Sequence, residues 1–372
     1  MRSILSLLLV ASVLFGDLAA QEAPVVPTKD YFWMRIWPDR IIKFDPVSDT
    51  VVKTMTNKNG VAHGMDLTHD KKRFLVTTGQ RTAIEVRDVK SGDLMAEHYF
   101  SEPGWLYRIG DVRELPGGTH WYVQLNRMKR EPDHFKPEKD EWLLYNHTTW
   151  EIDERMSELP KAIRRGAQMS PDGKVWHVFD GDFKVIEHGT WKELGKIDLK
   201  TPRYTGMNAL SIRGDDWWDG RNPGAYRVGY SMTDPVKTNR TIVGVLDIDL
   251  VHMKVKNLKE WGASPGTNRF FRTKDLKFGI GTTWDRGRRD ASSGDDPVIT
   301  LLNIDLDNGK VLRKSRVDVR NGLGLRAISP DGKKLYLTGR GHELVVYDDQ
   351  HRYLKTIELD GETDGWIQVV GE

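Results

Sequence analysis

The sequence predicts an all-β fold in which one four-stranded antiparallel sheet is repeated seven times. Three observations predict it: a strand, turn and strand phrase that recurs along the chain, a second phrase that follows its copies, and a regular spacing between them. A spacing of about 40–45 residues is typical of four-stranded blades stacked around an axis. The predicted fold class is therefore a seven-bladed β-propeller.

The first phrase is a β-hairpin. Its clearest copies are Gly166-Ala-Gln-Met-Ser-Pro-Asp-Gly-Lys-Val-Trp-His-Val-Phe179 and Leu325-Arg-Ala-Ile-Ser-Pro-Asp-Gly-Lys-Lys-Leu-Tyr-Leu-Thr338. Each copy alternates apolar residues, passes through Pro-Asp-Gly and continues as a second strand. A hairpin alone is marginal in water, so a recurring hairpin is expected to stack on its copies. Looser copies begin at Gly64 and Arg269, and two with longer turns cover 110–123 and 209–228.

The second phrase is an apolar strand that ends in an acidic or polar residue, followed by a short turn and another apolar strand. Three pairs of successive copies of this phrase are separated by 42 or 43 residues. The copies in these pairs end at residues 45 and 88, 146 and 188, and 305 and 348. Seven copies are present. They end at residues 45, 88, 146, 188, 249, 305 and 348.

The two ends of the repeat array complement each other. Residues 31–36, 40–44 and 51–55 make three strands, and no hairpin phrase precedes them. At the other end, Gly365-Trp-Ile-Gln-Val-Val370 makes a lone strand. We predict that the C-terminal strand completes the N-terminal blade, which closes the ring and removes an open sheet edge.

Residues 1–21 are predicted to be a secretory signal peptide. Arg2 supplies the positive start, residues 4–15 the apolar centre, and Leu18-Ala-Ala20 the small residues before a cleavage site. The alternative is an uncleaved membrane anchor, although the apolar run is short of a full span. Residues 22–372 are then one propeller domain. We expect a periplasmic or secreted protein that does not span a membrane once the signal peptide is removed.

Composition excludes several kinds of chemistry. The chain has no cysteine, which excludes covalently attached c-type haem, iron–sulfur clusters and cysteine nucleophiles. The 56 basic and 54 acidic residues nearly cancel, so no global field favours nucleic acid as a partner. No tight ligand spacing predicts a metal site, and the sequence identifies no cofactor.

The insertions between repeats point to one face of the propeller. Strand alternation within a blade places the loops between second and third strands, and the connections between blades, on the same face. Residues 127–141, 232–240 and 284–297 are predicted to lengthen such loops in blades three, five and six, whereas 213–225 lengthens a turn on the opposite face. Insertions on one face often mark a binding surface. The alternative is that these insertions are disordered, charge-rich loops that do not form a binding surface.

The residues that begin the innermost strands are expected to surround the channel mouth on the loop-rich face. Arginine can donate two parallel hydrogen bonds to a carboxylate or phosphate group, and the tryptophan ring provides a flat apolar surface on which a sugar can stack. The alternative is a polar, water-filled channel without a specific ligand. The predicted ligand-binding residues are Arg164, Arg165, His63, Tyr204, Asn208, Asn268, Arg269, Arg326, Trp105, Trp284 and Asp364, with Trp37, Trp261 and Trp366 on adjoining loops.

Catalytic residues are not identified by any motif. A lactonase or polysaccharide lyase needs a base and an electrophilic clamp, for which His63, Arg165 and Arg108 are the best candidates. A lone histidine at the start of a strand is also a common structural hydrogen-bonding group. No Gly-x-Ser-x-Gly, His-Glu-x-x-His or phosphate-loop motif is present.

The repeat resembles the YVTN-type seven-bladed propellers of exported bacterial proteins, which are related to the WD-repeat fold. Relatives of that architecture include lactonases, lyases, binding modules and the large subunits of quinone-dependent amine dehydrogenases. The resemblance implies an exported binding or scaffold protein that holds a small anionic or sugar-like ligand, or a protein partner, on its loop-rich face. The alternatives are a channel-mouth hydrolase or lyase and a non-catalytic large subunit. The resemblance rests on Ile328-Ser-Pro-Asp-Gly-Lys-Lys-Leu-Tyr-Leu-Thr338, Met169-Ser-Pro-Asp-Gly-Lys174, Ile304-Asp-Leu-Asp-Asn-Gly-Lys-Val311 and Arg87-Asp-Val-Lys-Ser-Gly-Asp-Leu94.

Overall fold

The protein is built from β-strands joined by turns. Within the described residues the chain has no α-helix, and its single short 3₁₀ turn is Gly79–Arg81. No helix in this part of the chain is long and apolar enough to cross a bilayer. The computed structural model describes residues 29–68, 70–115, 117–159, 167–170, 172–212, 224–236, 241–264, 268–272, 278–285, 298–318, 323–339 and 341–371.

Twenty-eight strands lie in these ranges, and we number them in chain order. They are β1 (Asp30–Trp37), β2 (Arg40–Asp45), β3 (Thr50–Thr56), β4 (Gly64–Leu67), β5 (Arg73–Thr78), β6 (Ala83–Asp88), β7 (Leu94–Tyr99), β8 (Trp105–Glu114), β9 (His120–Arg130), β10 (Phe135–Pro137), β11 (Glu141–Asn146), β12 (Glu151–Met156), β13 (Ala167–Met169), β14 (Val175–Asp180), β15 (Asp182–Glu187), β16 (Glu193–Ile197), β17 (Ser211–Ile212), β18 (Ala225–Thr233), β19 (Thr241–Asp249), β20 (Lys254–Ser264), β21 (Asn268–Arg272), β22 (Phe278–Asp285), β23 (Val298–Asp305), β24 (Lys310–Asp318), β25 (Gly324–Ile328), β26 (Lys334–Thr338), β27 (Gly341–Asp348) and β28 (Tyr353–Gly371).

Antiparallel pairing groups the strands of the described chain into six sheets. Four sheets have four strands in chain order: β4–β7, β13–β16, β17–β20 and β21–β24. A fifth sheet contains β8, β9, β11 and β12, and the short β10 pairs with β9. The sixth is seven-stranded, in the order β25-β26-β27-β28-β1-β2-β3. This all-β arrangement is that of a β-propeller.

The long strand β28 joins the two ends of the chain. Its first part pairs with β27, with Val346 opposite Lys355, and its second part pairs with β1, with Phe32 opposite Val369. The pairing of the last strand with the first is therefore observed, as the sequence predicts. The count of seven blades and the closing of the ring stay predictions, and we use the predicted blade numbers below.

The core lies between the faces of neighbouring sheets. Each consecutive pair of predicted blades shares a cluster of buried apolar side chains. For example, Trp33 and Phe74 join blades one and two with ring centroids 5.1 Å apart. Phe32 and Tyr336 join blades one and seven, edge to face, at 4.9 Å. Aromatic pairs of this geometry add to the free energy gained by apolar burial.

The Pro-Asp-Gly turns are built by side-chain hydrogen bonds. Ser170 donates its hydroxyl to the Asp172 carboxylate at 2.6 Å and accepts from the amide of Val175 at 3.0 Å. Thr68 repeats both roles with Asp70 and the amide of Arg73. These aspartates therefore act as turn residues.

In blades one to six, the turn between the third and fourth strands has a left-handed residue at its fifth position, counted from the last residue of the third strand; in blade seven the left-handed residue is His351, at the fourth position. The chain tolerates large side chains there because they pack: the Trp150 ring lies 4.2 Å from His98, centroid to centroid. This conformation is costly for side chains other than glycine. The residues with positive φ at this position are Asp49, Gly92, Trp150, Trp191, Met253 and Gly309.

The insertion predicted at 127–141 lies between the second and third strands of blade three, as expected, but it is not simply a loop. Strand β9 continues to Arg130, β8 begins opposite it with Trp105 facing Lys129, and β10 adds a third short strand. Arg127 stacks over the Trp105 ring at 4.3 Å and stabilises this extended ribbon. About half of the insertion is therefore strand, and the rest is loop. Of the other insertions, 213–223, 237–240 and 286–297 lie outside the described residues.

A buried carboxylate makes the contact between blades one and seven sensitive to pH. Asp49 accepts a hydrogen bond from the Tyr336 hydroxyl at 2.6 Å and pairs with Lys334 and Lys355, each at 2.8 Å. Burial opposes its ionisation, but these three donors hold the pKa of Asp49 below its ordinary value. The stability from such a group is present above its unfolded-state pKa and is lost as pH falls through its folded-state pKa.

We expect Asp49→Asn to lower Tm by on the order of 5 °C at pH 7, because two lysines lose their counter-charge. The difference from wild type should begin to shrink below about pH 4, where Asp49 of the unfolded chain becomes protonated, and should disappear once the pH is below the lowered pKa of Asp49 in the folded protein. Differential scanning calorimetry from pH 7 to pH 3 measures this. Asp133→Asn is the control, since Asp133 is exposed on a turn. A Tm difference that is the same at every pH would contradict the prediction.

Candidate functional site

The start of the innermost strand is built the same way in blades two and five. The amide of His63 donates to the carbonyl of Thr77 at 2.8 Å, and the amide of Asn208 donates to that of Thr233 at 2.9 Å. Both side chains are exposed. The two predicted site residues therefore occupy matching positions on their blades, as the alignment of the repeats predicts.

His63 lies within a group of three arginines, which we call the cationic cluster: Arg35, His63, Arg81 and Arg108. Burial first, and then the charges of these guanidinium groups, lower the pKa of His63. The imidazole is therefore neutral at pH 7, although it is solvent-accessible. In the part of the chain described here, no carboxylate pairs with Arg81 or Arg108.

Three separate elements supply the arginines. Arg35 lies on β1 and donates to the carbonyl of Ala62 at 3.3 Å, which fixes it beside the segment that leads to His63. Arg81 lies in the 3₁₀ turn after β5 and has a positive φ of 70°. Arg108 is exposed on β8. The cluster thus joins blades one, two and three at one place.

Two carboxylates lie near the cationic cluster. Burial, and then the charge of Asp111, raise the pKa of Asp66 to about 6, against the opposing influence of Arg35 and Arg113. Asp111 accepts a hydrogen bond from Arg113 at 2.8 Å. The Asp66 side chain is exposed to solvent, although protein atoms surround it closely enough to raise its pKa. Both carboxylates can accept hydrogen bonds from hydroxyl groups of a ligand.

Three of the predicted site residues form other contacts. Arg326 donates its Nε to the carbonyl of Thr338 at 3.2 Å. Trp105 stacks beneath Arg127 on the ribbon of blade three. Tyr204 donates its hydroxyl to Glu260. These side chains have protein partners, and none of them is in the cationic cluster.

The other predicted site residues are only partly covered. Arg164 and Arg165 lie outside the described residues. For Asn268, Arg269, Trp284 and Asp364 the structure describes the backbone alone, in β21, β22 and β28. Among the described residues, no three His, Asp or Glu side chains are grouped closely enough to hold a metal ion.

Sequence reasoning missed Arg35, Arg81, Asp66 and Asp111. Apart from Asp30 at its first position, Arg35 is the only charged residue of β1, which is a weak signal of a functional role. Arg81 belongs to the short link between β5 and β6, which lies outside the strand starts from which the site was predicted. Only the three-dimensional packing of blades one to three brings these side chains to His63.

Comparisons with known proteins bear on the fold. No protein-family model matches the sequence, and no curated protein matches it. The chain is similar to the structure of dihydro-heme d1 dehydrogenase NirN in complex with DHE, with 13% identity, 90% of this chain and 74% of that chain covered, and a TM-score of 0.52. It is also similar to apo AztD from Citrobacter koseri (12% identity, 92% and 98% covered, TM-score 0.51) and to a functionally unknown protein from Desulfotomaculum acetoxidans (12%, 92% and 99%, 0.51). At this identity the likeness supports the β-propeller fold alone.

Proposed function

We propose that the protein is an exported binding protein that holds a small anionic ligand at the cationic cluster. The observation that carries this proposal is the grouping of Arg35, Arg81 and Arg108 around His63. Guanidinium groups bind carboxylate and phosphate through paired, charge-assisted hydrogen bonds. The resemblance to YVTN-type propellers of exported bacterial proteins supports a periplasmic or secreted location.

The neighbouring acceptors narrow the class of ligand. Asp66 and Asp111 offer carboxylate oxygens near the same space, and such oxygens accept from hydroxyl groups. A ligand that carries both an acidic group and several hydroxyls would satisfy both sets of side chains. A sugar acid has this composition, so we name sugar acids as the preferred class.

Isothermal titration calorimetry tests the proposal with D-glucuronate, citrate and inorganic phosphate as anionic probes and D-glucose as the neutral control. We expect glucuronate to bind and glucose not to bind. Arg81→Gln and Arg108→Gln should each weaken glucuronate binding by about tenfold, because each removes a charge-assisted contact. Arg316→Gln, on the exposed outer strand β24, is the matched control and should change nothing. If none of the three anions binds, or if Arg81→Gln binds them as tightly as wild type does, the proposal is wrong.

A second candidate function is a channel-mouth lyase. The observation that favours it is the lowered pKa of His63, because a neutral imidazole can accept a proton at pH 7. In β-elimination from a polyuronate, the base removes the proton from the carbon next to the carboxylate, and a double bond forms from that carbon to the adjacent carbon. The bond from the adjacent carbon to the glycosidic oxygen breaks, and this oxygen leaves with a proton taken from water or from the protonated base. Arginine would stabilise the charge that develops on the carboxylate.

His63→Gln separates the two functions. In a binding protein this variant retains most of the affinity for glucuronate and there is no turnover to lose. In a lyase, wild type releases unsaturated products from polygalacturonate, which ultraviolet absorbance detects, and His63→Gln does not. Absence of unsaturated product from wild type excludes the lyase for this substrate and leaves the binding function standing.

A further inference from the structure

Three tryptophan side chains are exposed in the part of the chain that the structure describes, and two of them adjoin one arginine of the cationic cluster. The three are Trp37, Trp150 and Trp366, which are 61%, 55% and 48% exposed. Trp150 packs against the ring of His98, and this contact accounts for its position. Trp37 and Trp366 lie on β1 and β28, the strand of Arg35 and the strand next to it.

Trp37 lies on the same face of β1 as Arg35. The pairing of β1 with β2 has no bulge, so alternate side chains of β1 project from the same face. On this face Trp33 packs into the core shared with blade two, and Arg35 donates to the carbonyl of Ala62, in the segment that leads to blade two. Trp37 is the next residue on this face, about 7 Å beyond Arg35 along the strand.

Trp366 lies in a β-bulge opposite Arg35. Between two regular pairs of β1 and β28, Arg35 alone stands opposite residues 364–366. Bulges re-aim side chains and are frequent next to functional sites. In the predicted blade one β28 is the innermost strand, so the bulge presents an exposed indole at the inner edge of the sheet, one strand away from Arg35.

Gly365 allows the bulge to form and brings it close to a second arginine. Its φ of 74° is in the left-handed region that favours glycine. A Cβ atom at this position would lie 3.3 Å from Nη2 of Arg326, which is closer than most side chains approach. The bulge that carries Trp366 therefore has an arginine on each side, Arg35 on β1 and Arg326 on β25.

An exposed indole beside a guanidinium group suits an acid that contains a ring. The guanidinium group binds a carboxylate through charge-assisted hydrogen bonds, and the flat apolar face of the indole stacks on the C–H groups of a sugar ring. An open-chain sugar acid carries the same charge and similar hydroxyls but has no ring face to stack. The charges of the cationic cluster do not distinguish the two forms, whereas the tryptophans do.

We propose that Trp37 and Trp366 form the stacking surface of the anion site and make it selective for sugar acids in the pyranose form. This inference rests on the proposed function and narrows its ligand class. Arg35 binds the carboxylate, and the two indoles contact the carbon-bound hydrogens of the ring. The tryptophans are therefore specificity-determining residues, and the arginines supply the attraction that any small anion shares.

Calorimetric titration with D-glucuronate and D-gluconate tests this inference, because each has one carboxylate and only glucuronate forms a pyranose ring. We expect wild type to bind glucuronate about tenfold more tightly than gluconate. Trp37→Ala and Trp366→Ala should each weaken glucuronate binding about fivefold and leave gluconate binding unchanged. Trp37→Phe should retain most of the affinity, because a phenyl ring also stacks. Both tryptophans are exposed, so each variant should keep a Tm close to that of wild type, which shows that the fold is intact.

Tyr353→Ala is the matched control. It removes an aromatic side chain that is 57% exposed on the outer part of β28, and it should leave both affinities unchanged. If wild type binds the two acids equally, or if either alanine variant binds glucuronate as tightly as wild type does, this inference is overturned while the anion site stands. If wild type binds neither acid, the cationic cluster is not a site for sugar acids, and the proposed ligand class is overturned together with this inference.

Discussion

Deletion of residues 365–372 is expected to lower Tm by more than about 10 °C and to abolish a single cooperative unfolding transition. The segment supplies the part of β28 that pairs with β1, including Ile367 opposite Met34 and Val369 opposite Phe32. Val370 is buried in the cluster that Trp33 and Phe74 share between blades one and two. Loss of residues 365–372 removes the backbone hydrogen bonds between this part of β28 and β1. It also exposes apolar side chains between blades one and two and leaves one edge of β1 unpaired.

Scanning calorimetry and far-ultraviolet circular dichroism measure the effect. Val369→Ser changes an exposed side chain in the same segment and should alter Tm by little, because the backbone pairing remains. A synthetic peptide of residues 365–372, added in excess, should restore part of the lost stability through mass action. A truncated protein that melts like wild type would show that β28 does not hold the first blade together.

The second large effect is expected from Arg87→Met, which should reduce the free energy of unfolding by about 3–5 kcal/mol. Arg87 and Glu85 form a buried ion pair at 2.6 Å, and both side chains are nearly inaccessible to solvent. Arg87 also donates to the carbonyls of Thr56 on β3 and Gly92, at 2.9 and 3.1 Å. The substitution leaves the Glu85 carboxylate buried without its counter-charge.

A double variant distinguishes the effect of the unpaired Glu85 charge from a simple loss of packing around residue 87. Glu85 accepts the amide of Asn59 at 3.0 Å, and an amide oxygen at position 85 can accept it as well. Adding Glu85→Gln to Arg87→Met should therefore recover part of the lost stability, because the buried charge is gone. Urea denaturation of both variants gives the two free energies. If the double variant is less stable than Arg87→Met, the buried charge is not the source of the loss.

The repeat made most of the fold predictable from sequence. Strands β1, β2, β3 and the end of β28 fall where apolar alternation places them, and the Ser-Pro-Asp-Gly turns form the expected hydrogen bonds. The ribbon of blade three was not predictable by the same reasoning. It extends beyond the stacked sheets, so solvent reaches both of its faces, and its sequence at 127–137 has no apolar alternation to indicate strands.

The site was less predictable than the fold. The sequence pointed to His63 and Asn208 because they occupy the same position of the repeat. Arg35 and Arg81 were missed because a cluster made by three adjacent blades has no signature within any one of them. The site was also hard to predict because the left-handed turn positions hold Trp150 and Trp191 as well as glycine. This variation makes the repeats harder to align, and the assignment of site residues depends on that alignment.

The union of first and last strands in one sheet also bears on how the chain reaches its folded state. Arg40 and Asp360 are hydrogen-bonded although 320 positions separate them, so this sheet requires the longest loop closure of the molecule. We expect it to form late, after the intervening blades. Until then two strand edges stay unpaired, and at high protein concentration β28 of one molecule can pair with β1 of another. Refolding at high concentration should therefore yield strand-swapped dimers, and dilution should suppress them.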